Sequence, residues 1–285
     1  MSKLKIAVQK SGRLSEKSLE LFVSCGIKLS NGERKLMTAS SNFPIELLFL
    51  RDDDIPHYVE EGVADAGILG ENVIWESECD VNISEKLGFG GCRMSIAIPR
   101  DEIYNDVSWL QDKRIATSYP RVLGRFLNEN SISAAIETTG GSVEVAPGIG
   151  LADAIFDIVS TGSTLLMNGL REVEVITRSE AVLIASKKLN REKTDILSRL
   201  LFRIRSVRKA AENKYILLNA PDSALAEITS ILPGMKSPTV LPLAIKGWSS
   251  LHSVIREDDF WEIIDRLKAA GAEGILVMPI EKMIV

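Results

Sequence analysis

The chain has 285 residues, 45% of them hydrophobic and 26% charged, the make-up of an ordinary soluble protein long enough for two or three domains with real cores. A net charge of -5 without a Lys/Arg-rich block argues against a nucleic-acid partner, and no apolar run reaches membrane-spanning length. Cys25, Cys79 and Cys92 are an odd set without CxxC spacing, so neither a disulfide frame nor a zinc site is expected, and with no signal peptide in Met1 to Gln9 a reduced cytoplasm fits best.

In chain order, Leu4 to Gln9 alternates like a strand, Lys10-Ser11-Gly12-Arg13 reads as a loop, and Ser15 to Cys25 has helical spacing. Ile45 to Leu50 reads as a strand, Asp54 to Gly62 as a helix carrying a surface His57, and Ala66 to Leu69 as a buried strand feeding a helix from Glu71. This alternation implies an α/β lobe. Residues 93 to 99 read as a crossover strand into a second lobe, Ala181 to Ser186 as the return, and Thr194 to Ala211 as a long amphipathic helix. Beyond residue 213 the pattern becomes strand (Tyr215 to Asn219), helix (Asp222 to Leu232), strand (Thr239 to Ile245), strand (Ser249 to Ile255), helix (Asp258 to Ala270) and strand (Gly274 to Met278). That order is ferredoxin-like, βαββαβ.

Two features stand out. Gly62-Val63-Ala64-Asp65-Ala66 is echoed by Gly150-Leu151-Ala152-Asp153-Ala154, each at a helix-to-strand junction, so two similar lobes facing across a cleft are expected. After the second copy, the apolar run holding Asp153 and Asp157 ends in Ser160-Thr161-Gly162-Ser163-Thr164, ahead of Leu165-Leu166-Met167. Backbone N–H groups there suit a phosphate if a helix follows, Gly162 allows close approach, and Asp153 or Asp157 can grip ribose hydroxyls or a divalent ion. A capped helix after an acidic strand would look the same without any ligand.

These segments together resemble the long form of the ATP phosphoribosyltransferase family. The resemblance is carried by Gln9-Lys10-Ser11-Gly12-Arg13-Leu14, Arg51-Asp52-Asp53-Asp54-Ile55-Pro56, Gly70-Glu71-Asn72-Val73 and Phe89-Gly90-Gly91-Cys92-Arg93. It continues through Arg114 to Pro120, Gly141 to Pro147, the hydroxyl loop, Ser237-Pro238-Thr239 and Pro279 to Met283. The resemblance implies periplasmic-binding-protein-like lobes at 1–95 with 180–212 and at 96–179, plus an ACT-like regulatory domain at 213–285. It implies transfer of the phosphoribosyl group of phosphoribosyl pyrophosphate (PRPP) to N1 of ATP, with Mg2+, feedback inhibition by histidine, and homo-oligomers from dimer to hexamer. Adenine N1 is unprotonated at neutral pH, so no general base is required, and catalysis reduces to positioning and charge stabilisation.

On this resemblance Glu144, Asp153 and Asp157 are candidate catalytic residues, the two aspartates also metal ligands, and Ser160, Thr161, Gly162, Ser163 and Thr164 hold PRPP. Lys10, Arg13, Arg34, Glu71, Asn72, Cys92, Arg93 and Tyr119 are expected around ATP, although Glu71 and Asn72 also suit a helix start, and Cys92 and Tyr119 a core. Asn219, Met235, Ser237, Thr239, Val254 and Gly274 are expected around inhibitory histidine; relatives can carry Asp where Asn219 stands. Two readings compete: a non-catalytic bilobal binding protein, and a regulatory partner of the kind some short members depend on. The fused C-terminal module favours a self-sufficient enzyme.

Overall fold

The computed structural model describes residues 2–30, 36–232, 234 and 237–284, so the expectations for Arg34 and Met235 lie outside the described residues. Two compact units divide at Ser198/Arg199. The first opens with β1 (Leu4–Gln9), α1 (Arg13–Ser24), β2 (Met37–Ala39), β3 (Ile45–Leu50), α2 (Ile55–Glu60), β4 (Ala66–Gly70), α3 (Glu71–Ser77) and β5 (Asn82–Lys86). It continues with β6 (Cys92–Pro99), β7 (Arg114–Thr117), α4 (Pro120–Glu129), β8 (Ala135–Thr138), β9 (Ala154–Val159), α5 (Ser163–Met167), β10 (Leu170–Ser179), β11 (Ala181–Ala185) and α6 (Arg191–Ala211), which runs across the division.

Sheet order separates two lobes within this unit: β2-β3-β1-β4-β11-β5 in one and β10-β6-β9-β7-β8 in the other. β6 pairs wholly within the second sheet, so that lobe begins near Cys92. The central strands are apolar on both faces because helices cover both: Leu4, Ile6, Ala7, Val8, Ile68, Leu69 and Val182 are fully buried in one lobe, and Ile96, Ile98, Ile115 and Phe156 in the other.

The sequence echo has a mechanical meaning. Asp65 donates its N–H to Lys5 O at 2.8 Å while its Oδ2 accepts the Lys5 N–H at 2.8 Å. Asp153 does the same with Arg114, N–H to O at 2.8 Å and N–H to Oδ2 at 2.8 Å. Each aspartate therefore stands at the head of a parallel strand and clips it to its neighbour, β4 to β1 and β9 to β7. Each also holds a cation, Asp65 with Lys193 Nζ at 2.8 Å and Asp153 with Arg114 Nη2 at 3.2 Å.

Some elements depart from expectation. The helix expected over Asp54 to Gly62 is a 3-10 turn at Asp52–Asp54 followed by α2, whose early Pro56 has no N–H to lose. β10 has no period-two signature because register shifts between Glu172 and Glu174 and between Val175 and Thr177 break the alternation. The helix expected after the hydroxyl loop is the single turn α5.

The second unit adds β12 (Asn213–Pro221), α7 (Leu225–Ile231), β13 (Thr239–Pro242), β14 (Trp248–Arg256), α8 (Glu257–Ala269) and β15 (Glu273–Pro279), in the antiparallel order β13-β14-β12-β15. β13 ends short of Ile245 at Pro242, which cannot donate to a ladder. Ile216, Leu218, Leu251 and Ile255 face the helices and pack on Ile228, Phe260, Ile263 and Leu267. Tyr215, Leu217, Asn219, Ser250, His252 and Val254 alternate onto the opposite face.

The two clips should differ in worth. The Asp65 side chain is 6% exposed against 36% for Asp153. Asp65→Ala leaves Lys193 without its buried partner and should cost about 3–5 kcal/mol in a urea melt, whereas Asp153→Ala should cost about 1 kcal/mol. Equal losses would refute the inequality.

Candidate functional site

The hydroxyl loop lies between the C-terminal end of β9 and α5, turning at Gly162, whose φ of 81° is a left-handed value that glycine tolerates. Thr161 Oγ1 is 3.0 Å from Ser163 Oγ, and Thr161 Oγ1 also accepts the Ser163 N–H at 3.4 Å. With Arg13, Glu144, Asp157 and Leu165 the loop lines a cavity of about 240 Å3. Arg13 comes from the first lobe and Glu144 and Asp157 from the second, so both lobes contribute to one polar pocket.

Asp157 is half-buried, and burial, with help from the Glu144 charge, raises its carboxyl pKa to about 6 against the opposing effect of its hydrogen bond from the Ile158 N–H. Two carboxylates facing a hydroxyl loop form a hard-oxygen donor set. Asp153 does not join them. Four residues back along β9, roughly 13 Å at ~3.3 Å per residue, its carboxyl is held by Arg114, whose N–H and guanidinium keep its pKa below the usual carboxylate range. Asp153, expected beside Asp157, serves the strand clip instead, and Glu144 is the carboxylate that lines the cavity with Asp157.

Arg93 stands behind the loop. Its Nε and Nη2 donate to Glu172 Oε1 and Oε2 at 2.5 and 2.6 Å, and its Nη1 donates to the Ser160 carbonyl at 3.0 Å. Ser95, fully buried, donates its hydroxyl to Glu172 Oε1 at 2.6 Å. This bidentate pairing fixes the guanidinium, and Arg93 holds the Glu172 pKa low. Glu172 went unread in the sequence; it falls on the bulged strand that has no alternation to announce it.

A second cavity of about 510 Å3 opens between the lobes, lined by Asp52, Asp53, His57, Tyr119, Arg121 and Thr139 among others. Asn72 Nδ2 donates to Tyr119 Oη at 3.2 Å, linking first lobe to second, while Ser179 Oγ donates to Asn72 Oδ1 at 2.8 Å. Burial raises the Tyr119 hydroxyl pKa, so it stays a neutral donor. Thr139 Oγ1 is buried without a hydrogen-bond partner among the described residues. Of the residues expected around ATP, Tyr119 lines this cavity and Asn72, buried, hydrogen-bonds to it. Glu71 instead pairs with Lys86 at 3.2 Å, Lys10 lies exposed, and Cys92 is a half-buried thiol with its pKa raised by burial.

In the second unit, Asn219 lies beside Gly274, whose added Cβ would meet Asn219 Nδ2 at 3.3 Å. Thr239, on the edge strand, pairs with His252, and exposed Ser237 precedes it. His252 Nδ1 is 2.7 Å from Tyr215 Oη and its Nε2 3.2 Å from Ser250 Oγ. Val254 pairs with Tyr215, farther along the same face from Asn219.

A family model described as ATP phosphoribosyltransferase matches residues 51–206, and the C-terminal domain model of the same family matches residues 210–282. The chain is similar to an ATP phosphoribosyltransferase of Cytophaga hutchinsonii, 57% identical over 99% of this chain and 98% of the relative, and to one of Bacteroides fragilis, 57% identical over 99% and 100%. Among solved structures it resembles a chain of the ATP phosphoribosyl transferase (HisG:HisZ) complex from Thermotoga maritima, with TM-score 0.61 and 30% identity over 71% of this chain and 98% of that one. A histidine kinase sensor domain similar to periplasmic binding proteins shares the bilobal fold alone, with TM-score 0.50 and 10% identity over 73% of this chain and 90% of the other. Near-full-length relatives that share both domains favour the enzyme over a bare binding protein, and family members need a divalent metal. The chain belongs to the ATP phosphoribosyltransferase family, whose reaction of ATP with PRPP is the first step of histidine biosynthesis.

Proposed function

We propose that the 240 Å3 cavity is the PRPP site of this transferase. The observation that carries the reading is the meeting of Arg13, Glu144, Asp157 and the loop Ser160 to Thr164 in one pocket. Loop N–H and hydroxyl groups take the 5-phosphate, the carboxylates lie beside the ribose, and Arg13, expected with ATP, offers its planar fork to pyrophosphate instead. Glu144 and Asp157 fit Mg2+ as hard oxygen donors, and the ion when bound would neutralise the leaving pyrophosphate. The 510 Å3 cavity suits adenine, with Tyr119, held from behind by Asn72, as a polar contact. Glu172 acts one step removed, aiming Arg93 at the Ser160 carbonyl. Use of ATP fits a cytoplasmic setting.

We further propose that histidine inhibits through the face of the second unit bearing Asn219, Ser237, Thr239, Val254 and Gly274, with His252 beside Thr239 as an addition. Exposed Leu241 and Leu276 on that unit supply apolar surface for a homo-oligomer. Inhibition from there requires that histidine prefer one arrangement of the protein, typically by about 1–3 kcal/mol.

Thr161→Ala with Thr164→Ala should weaken PRPP far more than ATP, each lost charge-assisted hydrogen bond costing about 1.5–3 kcal/mol. Glu172→Gln should shift the same constant by less, leaving KM for ATP near the parent value. Equilibrium binding of each substrate checks both, and unchanged PRPP affinity in the double variant would overturn the site.

Asp157 costs stability when ionised. Its folded pKa of about 6 lies above the unfolded 3.8, so the cost is present above pH 6 and relieved as pH falls toward 4. Asp157→Asn should raise stability at pH 7.5 by up to about 3 kcal/mol, a gain that vanishes near pH 4, while abolishing metal-dependent PRPP binding. A variant less stable at pH 7.5 would contradict the burial argument.

For the regulatory face, the comparison is histidine inhibition of the parent against Ser237→Ala with Thr239→Ala. A parent indifferent to millimolar histidine removes the sensor, and a variant inhibited as strongly as the parent removes its location.

A further inference from the structure

Beside the substrate cavities, three donors of mixed hardness meet on the first lobe. His57 and Glu60 lie three residues apart on α2 and so share a face. Cys79 follows α3 in the chain. Its Sγ is 3.2 Å from His57 Nδ1, and one ligand atom each from His57, Glu60 and Cys79 lies within 4.8 Å of the others. Tetrahedral zinc, with bonds of ~2.3 Å to sulfur and ~2.05 Å to nitrogen, sets those two atoms roughly 3.6 Å apart. The observed pair need open by only a few tenths of an ångström.

The carboxylate is oriented already. The Asp80 N–H donates to Glu60 Oε1 at 2.7 Å, which holds the carboxylate beside the Cys79 thiol that bonds to it. His57 is exposed and Glu60 and Cys79 are half-buried, so an ion has an entry path and water can complete the shell. Asp80 and Glu78 of the same loop are paired with Lys187 and Arg121 respectively, so the charge around the cluster is balanced and its own donors carry the site.

We propose that His57, Glu60 and Cys79 form a site for a borderline-soft divalent transition metal, with Zn2+ as the reference ion and water in the fourth position. On binding, the Cys79 S–H bond breaks, its proton passes to solvent and a sulfur–metal bond forms; His57 binds as neutral imidazole through Nδ1, with its proton on Nε2. Thiolate and imidazole in one set disfavour Mg2+, which takes oxygen ligands. The site is therefore chemically distinct from the Asp157 and Glu144 pair. Because His57 also lines the 510 Å3 cavity, a bound ion would hold one wall of it.

The test is titration of the full-length, metal-stripped, reduced protein with Co2+ and then Zn2+, with millimolar Mg2+ present. Expected are one ion per chain at this site, a thiolate-to-cobalt charge-transfer band, and displacement of Co2+ by Zn2+. Cys79→Ser should lose the band, His57→Asn and Glu60→Gln should each weaken binding about tenfold or more, and Cys92→Ser should keep the parent's band and affinity. Unchanged circular dichroism in the metal-free variants separates ligand loss from misfolding. A parent without a charge-transfer band, or a band that survives in Cys79→Ser, would overturn the site and leave only a thiol–imidazole hydrogen bond.

Discussion

The start of the hydroxyl loop is anchored through one carboxylate. Glu172 takes both edges of the Arg93 guanidinium and the Ser95 hydroxyl, and Arg93 in turn reaches the Ser160 carbonyl. β10, β6 and the start of the loop are thereby tied by charge-assisted hydrogen bonds in a half-buried setting, where such bonds are strong and their loss is costly. That tie fixes the direction of the Ser160 carbonyl where the loop begins, while the Thr161–Ser163 bonds and the Leu166 N–H to Gly162 carbonyl bond hold the turn itself.

The two lobes repeat one architectural device and differ where chemistry is needed. Asp65 and Asp153 clip equivalent parallel strands with the same pair of hydrogen bonds. Four residues on, the first lobe has the fully buried Leu69 and the second has Asp157, half-buried in the loop cavity. A scaffold shared with bilobal binding proteins is thus adapted by placing an acid and a hydroxyl loop on one lobe and a cation, Arg13, on the other. Function follows these grafted groups and not the fold.

The chemistry of the family suits such a site. A nucleophile already unprotonated at neutral pH asks for orientation and for neutralisation of the leaving group. The cavity holds a cationic fork, hard oxygen donors and a carboxyl, Asp157, that is ionised at neutral pH at a cost that its burial imposes. An arrangement of this kind gains from water exclusion.

Much of this was legible in the sequence because it is local. Alternation marks β1, apolar runs mark β3 and β11, and the βαββαβ order of the second unit follows from runs long enough to show their period. The family motifs supplied the reaction and pointed to the loop, since glycine at a left-handed turn among hydroxyls is a local demand. Whatever depends on pairing across the chain was not legible. β10 hides behind two bulges, and with it Glu172; Asp153 and Asp157 look alike as acids on one strand, yet one faces Arg114 and the other the cavity. Cys79 and His57 are 22 residues apart with no metal-binding spacing, and only the packing of α2 against the segment after α3 brings sulfur and nitrogen together. The sequence by itself determined which segments fold and which reaction family they serve, because periodicity and motifs act over a few residues; the tertiary structure alone decided which side chains share a pocket, because that is set by sheet register and helix packing.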